Sequence, residues 1–179
     1  MSRILQSYAG VLENARPLLH AWIRGVSRGI RPLRPDQLPY EAPDVSREVG
    51  PVAVHPDRVA AYLRITDGAG LGTAETRLVP PIYYTTWSLA PFLGVLSADE
   101  LGISLLGIVH LENEATIHRP IRLGDRVDCR VHLAGLDRDE KRILLTVLAE
   151  NRVGGTLASE SRSLILVPLV PWYVFNGRH

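Results

Sequence analysis

From Leu105 to Val167 the chain is written largely in alternation, and this pattern constrains its fold more than any other feature. Between Arg126 and Leu133 the alternation is strict: Val127, Cys129, Val131 and Leu133 stand against Arg126, Asp128, Arg130 and His132. A side-chain period of two belongs to a strand with one buried and one solvated face. Ile143–Glu150 and Thr156–Val167 read as the next two strands. Asp137-Arg138-Asp139-Glu140 reads as a charged turn and Gly154-Gly155 as a hairpin turn. Leu105–Thr116 supplies an earlier strand, with Val109, Leu111 and Ala115 on one parity and His110, Glu112, Glu114 and Thr116 on the other.

A sheet of this kind must bury its apolar face against something, and the sequence offers one candidate. Pro80-Pro81 opens a segment, Ile82–Leu93, that is almost uncharged and carries Tyr83, Tyr84, Trp87, Leu89 and Phe92. A helix that is apolar all round belongs in the middle of a domain. Pro91 and Gly94 are expected to end it. Helices first and long antiparallel strands after give an α+β domain.

The preceding elements are smaller. Residues 3–28 place Ile4, Tyr8, Val11, Leu12, Ala15, Leu18, Leu19, Trp22, Ile23 and Val26 on one helical stripe, with a kink expected at Pro17. This helix packs on its own domain or a partner subunit. The alternative is a membrane-surface helix with Arg3, Arg16, Arg24 and Arg28 facing headgroups. Pro32, Pro35, Pro39, Pro43 and Pro51 make the next stretch an extended arm over the domain surface. Val52-Ala53-Val54 is a short strand. His55-Pro56-Asp57 opens a helix through Ile65 with Val59, Tyr62, Leu63 and Ile65 on its inner face, and the turn Thr66–Gly72 stops it. The division that follows is residues 1–50 for helix and arm, 51–168 for the sheet domain, and 169–179 for an aromatic tail. Trp172, Tyr173 and Phe175 of that tail suggest docking onto something, such as a second subunit.

Composition narrows the classes of function. A chain of 179 residues with 46% hydrophobic and 22% charged residues suits one globular domain. A net charge of +1 gives no case for nucleic acid. Cys129 is the single cysteine, so no internal disulfide can form; its place on the apolar parity makes it a buried, inert thiol, and a cytoplasmic setting fits. No secretory signal pattern and no run of about 18 apolar residues is expected to direct the chain into a membrane. The six histidines lack a spacing that converges on a metal, and no glycine-rich phosphate loop follows a strand, so neither metal nor other cofactor is expected.

Three segments together resemble the MaoC-like acyl dehydratases, the family of the (R)-specific enoyl-CoA hydratases. They are Val59-Ala60-Ala61-Tyr62 running to Thr66-Asp67, then Val79-Pro80-Pro81-Ile82-Tyr83, then Gly107-Ile108-Val109-His110 leading to His118-Arg119-Pro120-Ile121-Arg122-Leu123-Gly124-Asp125. The resemblance is to the non-catalytic half of two-domain members, and it covers residues 50–167. It implies a hot-dog fold, a long antiparallel sheet wrapped around one helix, and hydration of a trans-2-enoyl thioester or the reverse dehydration. In the family an Asp and a His within a Gly-Asp-x-Asn-Pro-x-His signature hold the water and move the proton. Both are needed, because the C2 proton is weakly acidic and water is a poor nucleophile.

Here Thr66-Asp67-Gly68 stands where that signature begins, but Ala69-Gly70-Leu71-Gly72 supplies neither Asn-Pro nor His. Asp67 is the candidate catalytic residue that remains, with capping of the turn as its structural alternative. His110 and His118 sit at family-like positions, as strand residues or as lining of a ligand site. Tyr83, Tyr84 and Trp87 are core residues or, with His110, line an acyl tunnel. Gly124-Asp125 closes a turn. The expected partners are therefore an acyl-CoA or acyl-carrier-protein thioester and a hot-dog partner subunit that supplies Asp and His, or a second copy in a homodimer. The alternatives are a non-enzymatic acyl-CoA or lipid-binding homodimer, and a thioesterase using Glu75 or Asp67 as its carboxylate.

Overall fold

The computed structural model describes residue 23, residues 38–66 and residues 77–169. The expected N-terminal helix, Asp67, Glu75 and the aromatic tail lie outside the described residues, apart from Ile23.

Among the described residues, five antiparallel strands form one sheet in the order β1-β3-β4-β5-β2. β1 is Ser46–Ala53, β2 Val109–Ile117, β3 Arg126–Arg138, β4 Arg142–Val153 and β5 Thr156–Pro168. The β3–β4 and β4–β5 hairpins carry the centre. Val127, Cys129, Val131 and Leu133 of β3 are buried, as are Ile143, Leu145, Val147 and Ala149 of β4. Each such aliphatic side chain contributes roughly 1.5–3 kcal/mol when fully buried. Gly154 and Gly155, at φ +58° and +78°, form the tight turn between β4 and β5, a backbone that residues with a Cβ rarely adopt.

Several elements depart from the sequence reading. β1 begins at Ser46, within the stretch read as an arm, and contains Pro51; it is an edge strand, where a missing N–H is tolerated. β3 runs on to Arg138, so the charged turn contracts to Asp139–Lys141. Its carboxylate tightens it: Asp139 Oδ1 accepts the backbone N–H groups of Lys141 at 2.7 Å and Arg142 at 2.9 Å. The arm is tied down by Arg138, whose Nη1 donates to the Leu38 carbonyl at 2.8 Å and whose guanidinium lies over the Tyr40 ring.

α1, Pro56–Ile65, starts at the expected proline and ends where Thr66 turns its N–H and its hydroxyl back onto the Tyr62 carbonyl. Val59 and Leu63 are buried, but Ile65 points to solvent, so it does not belong to the inner face. A 3₁₀ turn over Pro81–Tyr84 leads into α2, Thr85–Leu96. Pro91 does not end this helix. Val95 and Leu96, one turn further on, are fully buried, and that packing carries the helix past the missing hydrogen bond. α2 lies chiefly against β1 and β3, with lesser contact to β4. The other end of the sheet, β5 and β2, is left less covered, and this positions the site.

Candidate functional site

The site is a groove of about 320 Å³ between the start of α2 and the β5–β2 end of the sheet. Pro81, Ile82, Tyr84, Thr85 and Ser88 form one wall. Asn113, Ala115 and Ile117 of β2, Asn151 of β4, and Ser159, Glu160 and Ser161 of β5 form the rest.

The helix wall is fixed by short-range pairing. Val79 N–H donates to the Ile121 carbonyl at 2.9 Å and Leu123 N–H to the Arg77 carbonyl at 2.8 Å. The Tyr84 hydroxyl accepts the Ile121 N–H at 3.0 Å. Arg122 N–H donates to Asp125 Oδ2 at 2.9 Å, so Gly124-Asp125 closes a turn as the sequence suggested. The proline-led 3₁₀ turn is thereby docked onto residues 121–123, and the first residues of α2 stand at a set distance from the sheet.

The floor follows from strand register. Directly paired residues of antiparallel strands share a face. Asn151 pairs with Ser159, Ala149 with Ser161 and Val147 with Ser163. On the next strand Ile117 pairs with Ser159, Ala115 with Ser161 and Asn113 with Ser163. The inner face is thus aliphatic under α2 and becomes amide and hydroxyl beyond it. Asn151 Nδ2 donates to Ser159 Oγ at 3.1 Å, and Asn113 Nδ2 to Ser163 Oγ at 2.8 Å. Asn151, Ser159 and Ser163 are each at most 5% exposed.

β2 itself carries a bulge between His110 and Glu112. One extra residue switches the parity, so His110 shares the inner face with Ala115 while Val109 pairs with Leu166 on the other face. The single apolar parity of Val109, Leu111 and Ala115 expected from the sequence is therefore split. From His110 onward every residue of β2 is exposed, and among the described residues the strand has no neighbour on its outer side.

The residues singled out in the sequence occupy different places. Tyr84 lines the groove, with its hydroxyl spent on Ile121. Tyr83 and Trp87 are core: Tyr62, Tyr83 and Trp87 pack edge to face in series, and Tyr84 stacks on Trp87. Burial raises the hydroxyls of Tyr83 and Tyr84 above the usual tyrosine range. His110 is exposed, its ring 6.1 Å from that of Phe92. Asp67 lies outside the described residues. Cys129 is buried and its thiol is pushed up to about 12 by desolvation, so no nucleophile resides there. Asn113, Asn151, Ser159 and Ser161 were not anticipated. Their signal was present: Ser159, Ser161 and Ser163 share the parity of Ile165 and Val167, and Asn151 that of Ile143 to Ala149.

An imidazole and a carboxylate do meet, His118 Nε2 and Glu160 Oε1 at 2.9 Å. Glu160 pairs with Glu150 on the outward parity, and both His118 and Glu160 are about half exposed, so this contact sits at the rim where the groove lining meets the outer surface. A larger hollow on that outer face is lined by Glu48, Asp128, Arg130, Glu150 and Arg152. Its charges pair with one another, Arg152 with Glu150 at 3.0 Å and Arg130 with Glu48 at 3.5 Å, which leaves little to recruit an acyl chain. Among the described residues no group of three His, Cys, Asp or Glu side chains could hold a metal, and no helix is long and apolar enough to cross a membrane.

A five-stranded antiparallel sheet with one apolar helix against it, and a groove where helix and sheet part, defines a hot-dog domain. Residues 73–154 match the family model described as FAS1-like, dehydratase domain region. The chain is 26% identical over 125 residues to 3-hydroxyacyl-thioester dehydratase X of Mycobacterium tuberculosis, a match covering 70% of this chain and 41% of that protein. The crystal structure of that dehydratase superposes with a TM-score of 0.59 at 23% identity, over 69% of this chain and 51% of the other. Two complexes from the same organism share the fold. The (3R)-hydroxyacyl-ACP dehydratase HadBC has a TM-score of 0.54 at 14% identity, with 69% and 96% of the chains covered. The ChsH1–ChsH2 complex has a TM-score of 0.51 at 14% identity, with 87% and 91% covered. Over these residues the chain is similar to hot-dog dehydratases, and it spans less than half the length of the curated relative it matches.

Proposed function

We propose that this chain is the acyl-binding subunit of a 3-hydroxyacyl-thioester dehydratase or enoyl-thioester hydratase, and that a second hot-dog subunit supplies the Asp and His. The observation that carries the reading is the groove floor. Among the described residues its inner face offers amides, hydroxyls and small apolar side chains, which bind and orient, while the one carboxylate of the lining, Glu160, stands on the outward parity of β5 and is held by His118. The thioester lies along the groove with its acyl chain beside the start of α2.

The free edge supports the partner. Among the described residues the outer edge of β2 is unpaired, and Ile82, Leu89, Leu111 and Ile117 are exposed on the helix and strand that border the groove. An open strand edge with apolar neighbours is a surface a soluble protein normally covers. A second hot-dog sheet continuing from β2 covers it and brings its own loops to the groove. HadBC and ChsH1–ChsH2 are complexes of this fold, which is in keeping with a two-subunit arrangement.

Calorimetric titration of the full chain with crotonyl-CoA tests the binding half of this reading. Saturable binding with one site per chain is expected. Absence of binding at millimolar ligand contradicts it.

A further inference from the structure

We infer that the polar floor centred on Asn151 is a hydrogen-bonding subsite that selects a donor group on the bound thioester, either a hydroxyl on the acyl chain or an amide N–H of its pantetheine arm. The inference rests on the thioester reading above and adds the chemistry that the ligand must carry.

Asn151 interrupts a parity of β4 that otherwise reads Ile143, Leu145, Val147, Ala149 and Val153, the first four of them buried. It is 95% buried itself, since 5% of its surface is exposed. Its Nδ2 is spent on Ser159 Oγ, while its Oδ1 has no hydrogen-bond partner among the described residues. A buried acceptor without a donor is destabilising, and an apolar residue of the same size would remove that cost. Asn151 also lines the groove, and because its Oδ1 is itself covered, a donor lying there engages it once the side-chain amide turns toward the groove.

The neighbouring residues repeat the arrangement. Asn113 Nδ2 donates to Ser163 Oγ, and Ser161 lies between the two Asn–Ser pairs on the same face. In both pairs the serine holds the amide N–H group. A plain alkyl chain laid over this floor would strand these polar atoms, whereas a hydroxyl or amide N–H completes them. Native proteins keep such unsatisfied groups where a ligand completes them, at a cost in stability.

The test compares wild type, Asn151→Leu and Ser161→Ala in the full chain, by calorimetric titration with (R)-3-hydroxybutyryl-CoA and butyryl-CoA and by thermal unfolding. Asn151→Leu is expected to melt at or above the wild-type temperature and to lose about tenfold in affinity, the scale of one buried hydrogen bond. Ser161→Ala, which removes a single hydroxyl, is expected to weaken the same ligand and carries the test if Asn151→Leu does not fold. A loss confined to the hydroxyacyl ligand assigns the donor to the acyl chain, and an equal loss for both ligands assigns it to the pantetheine arm. Unchanged affinity of every folded variant for both ligands overturns the inference and leaves the thioester reading standing. Failure of wild type to bind either ligand overturns both.

Discussion

The Tyr84 hydroxyl accepts the buried backbone N–H of Ile121 at 3.0 Å, and this contact joins the start of the central helix to the segment that crosses beneath it. Ile121 is fully buried, so water cannot replace the phenol. Tyr84→Phe leaves that N–H unpaired and is expected to cost about 1–3 kcal/mol in urea unfolding. Burial raises the Tyr84 pKa, so the native state favours the neutral phenol. Its contribution is complete below the ordinary value of 10.0 and is lost as pH rises through the higher folded value. The stability gap between wild type and Tyr84→Phe is therefore expected to narrow above pH 10.

Gly50 holds β1 against β3. A Cβ built there would stand 2.8 Å from both Asp128 Cα and the Val127 carbonyl oxygen, and its φ of +142° is a conformation that other residues rarely adopt. Gly50→Ala is expected to destabilise by about 1–3 kcal/mol, measured as a lower midpoint of thermal unfolding. A midpoint equal to wild type would mean that the β1–β3 approach is looser than described.

Asp139 sits in the β3–β4 turn with its carboxylate held below its ordinary 3.8, first by the Lys141 backbone N–H and then by the Arg142 backbone and side chain. A lowered carboxylate stabilises the native state above its ordinary value, and that stabilisation is lost as pH falls through the folded value. Asp139→Asn is expected to melt lower than wild type at neutral pH and to converge with it below pH 3.8. Thermal scans across the acid range measure the convergence.

Cys129, with its thiol pushed up to about 12 by burial, is expected to be inert to Ellman's reagent in the native protein at pH 8 and to react once the chain is unfolded in guanidinium. Rapid native labelling would mean that β3 opens locally.

Much of the fold was legible because burial imposes a period of two on the strands. β3, β4 and β5 announce themselves in Val127–Leu133, Ile143–Glu150 and Thr156–Val167, and the apolar stretch after Pro81 announces the helix they wrap. The errors have local causes. Pro91 reads as a helix stop, but the burial of Val95 and Leu96 outweighs one lost hydrogen bond. Pro51 reads as an arm, because the sequence does not say that β1 is an edge. The bulge at Leu111 leaves no composition signal, so the facing of β2 could not be read. The polar floor of the groove is hidden for a different reason. The floor is made of Ser and Asn placed on a buried parity, and their convergence is visible only once the strands are registered.

The most direct measurement is crotonyl-CoA hydration by the purified full chain, alone and mixed with a separately purified hot-dog subunit carrying the intact Gly-Asp-x-Asn-Pro-x-His signature. No turnover by this chain alone, and turnover by the mixture above that of the partner alone, is the result expected of an acyl-binding subunit. Sustained hydration by this chain alone would contradict it, and would place a complete acid–base pair within the chain itself.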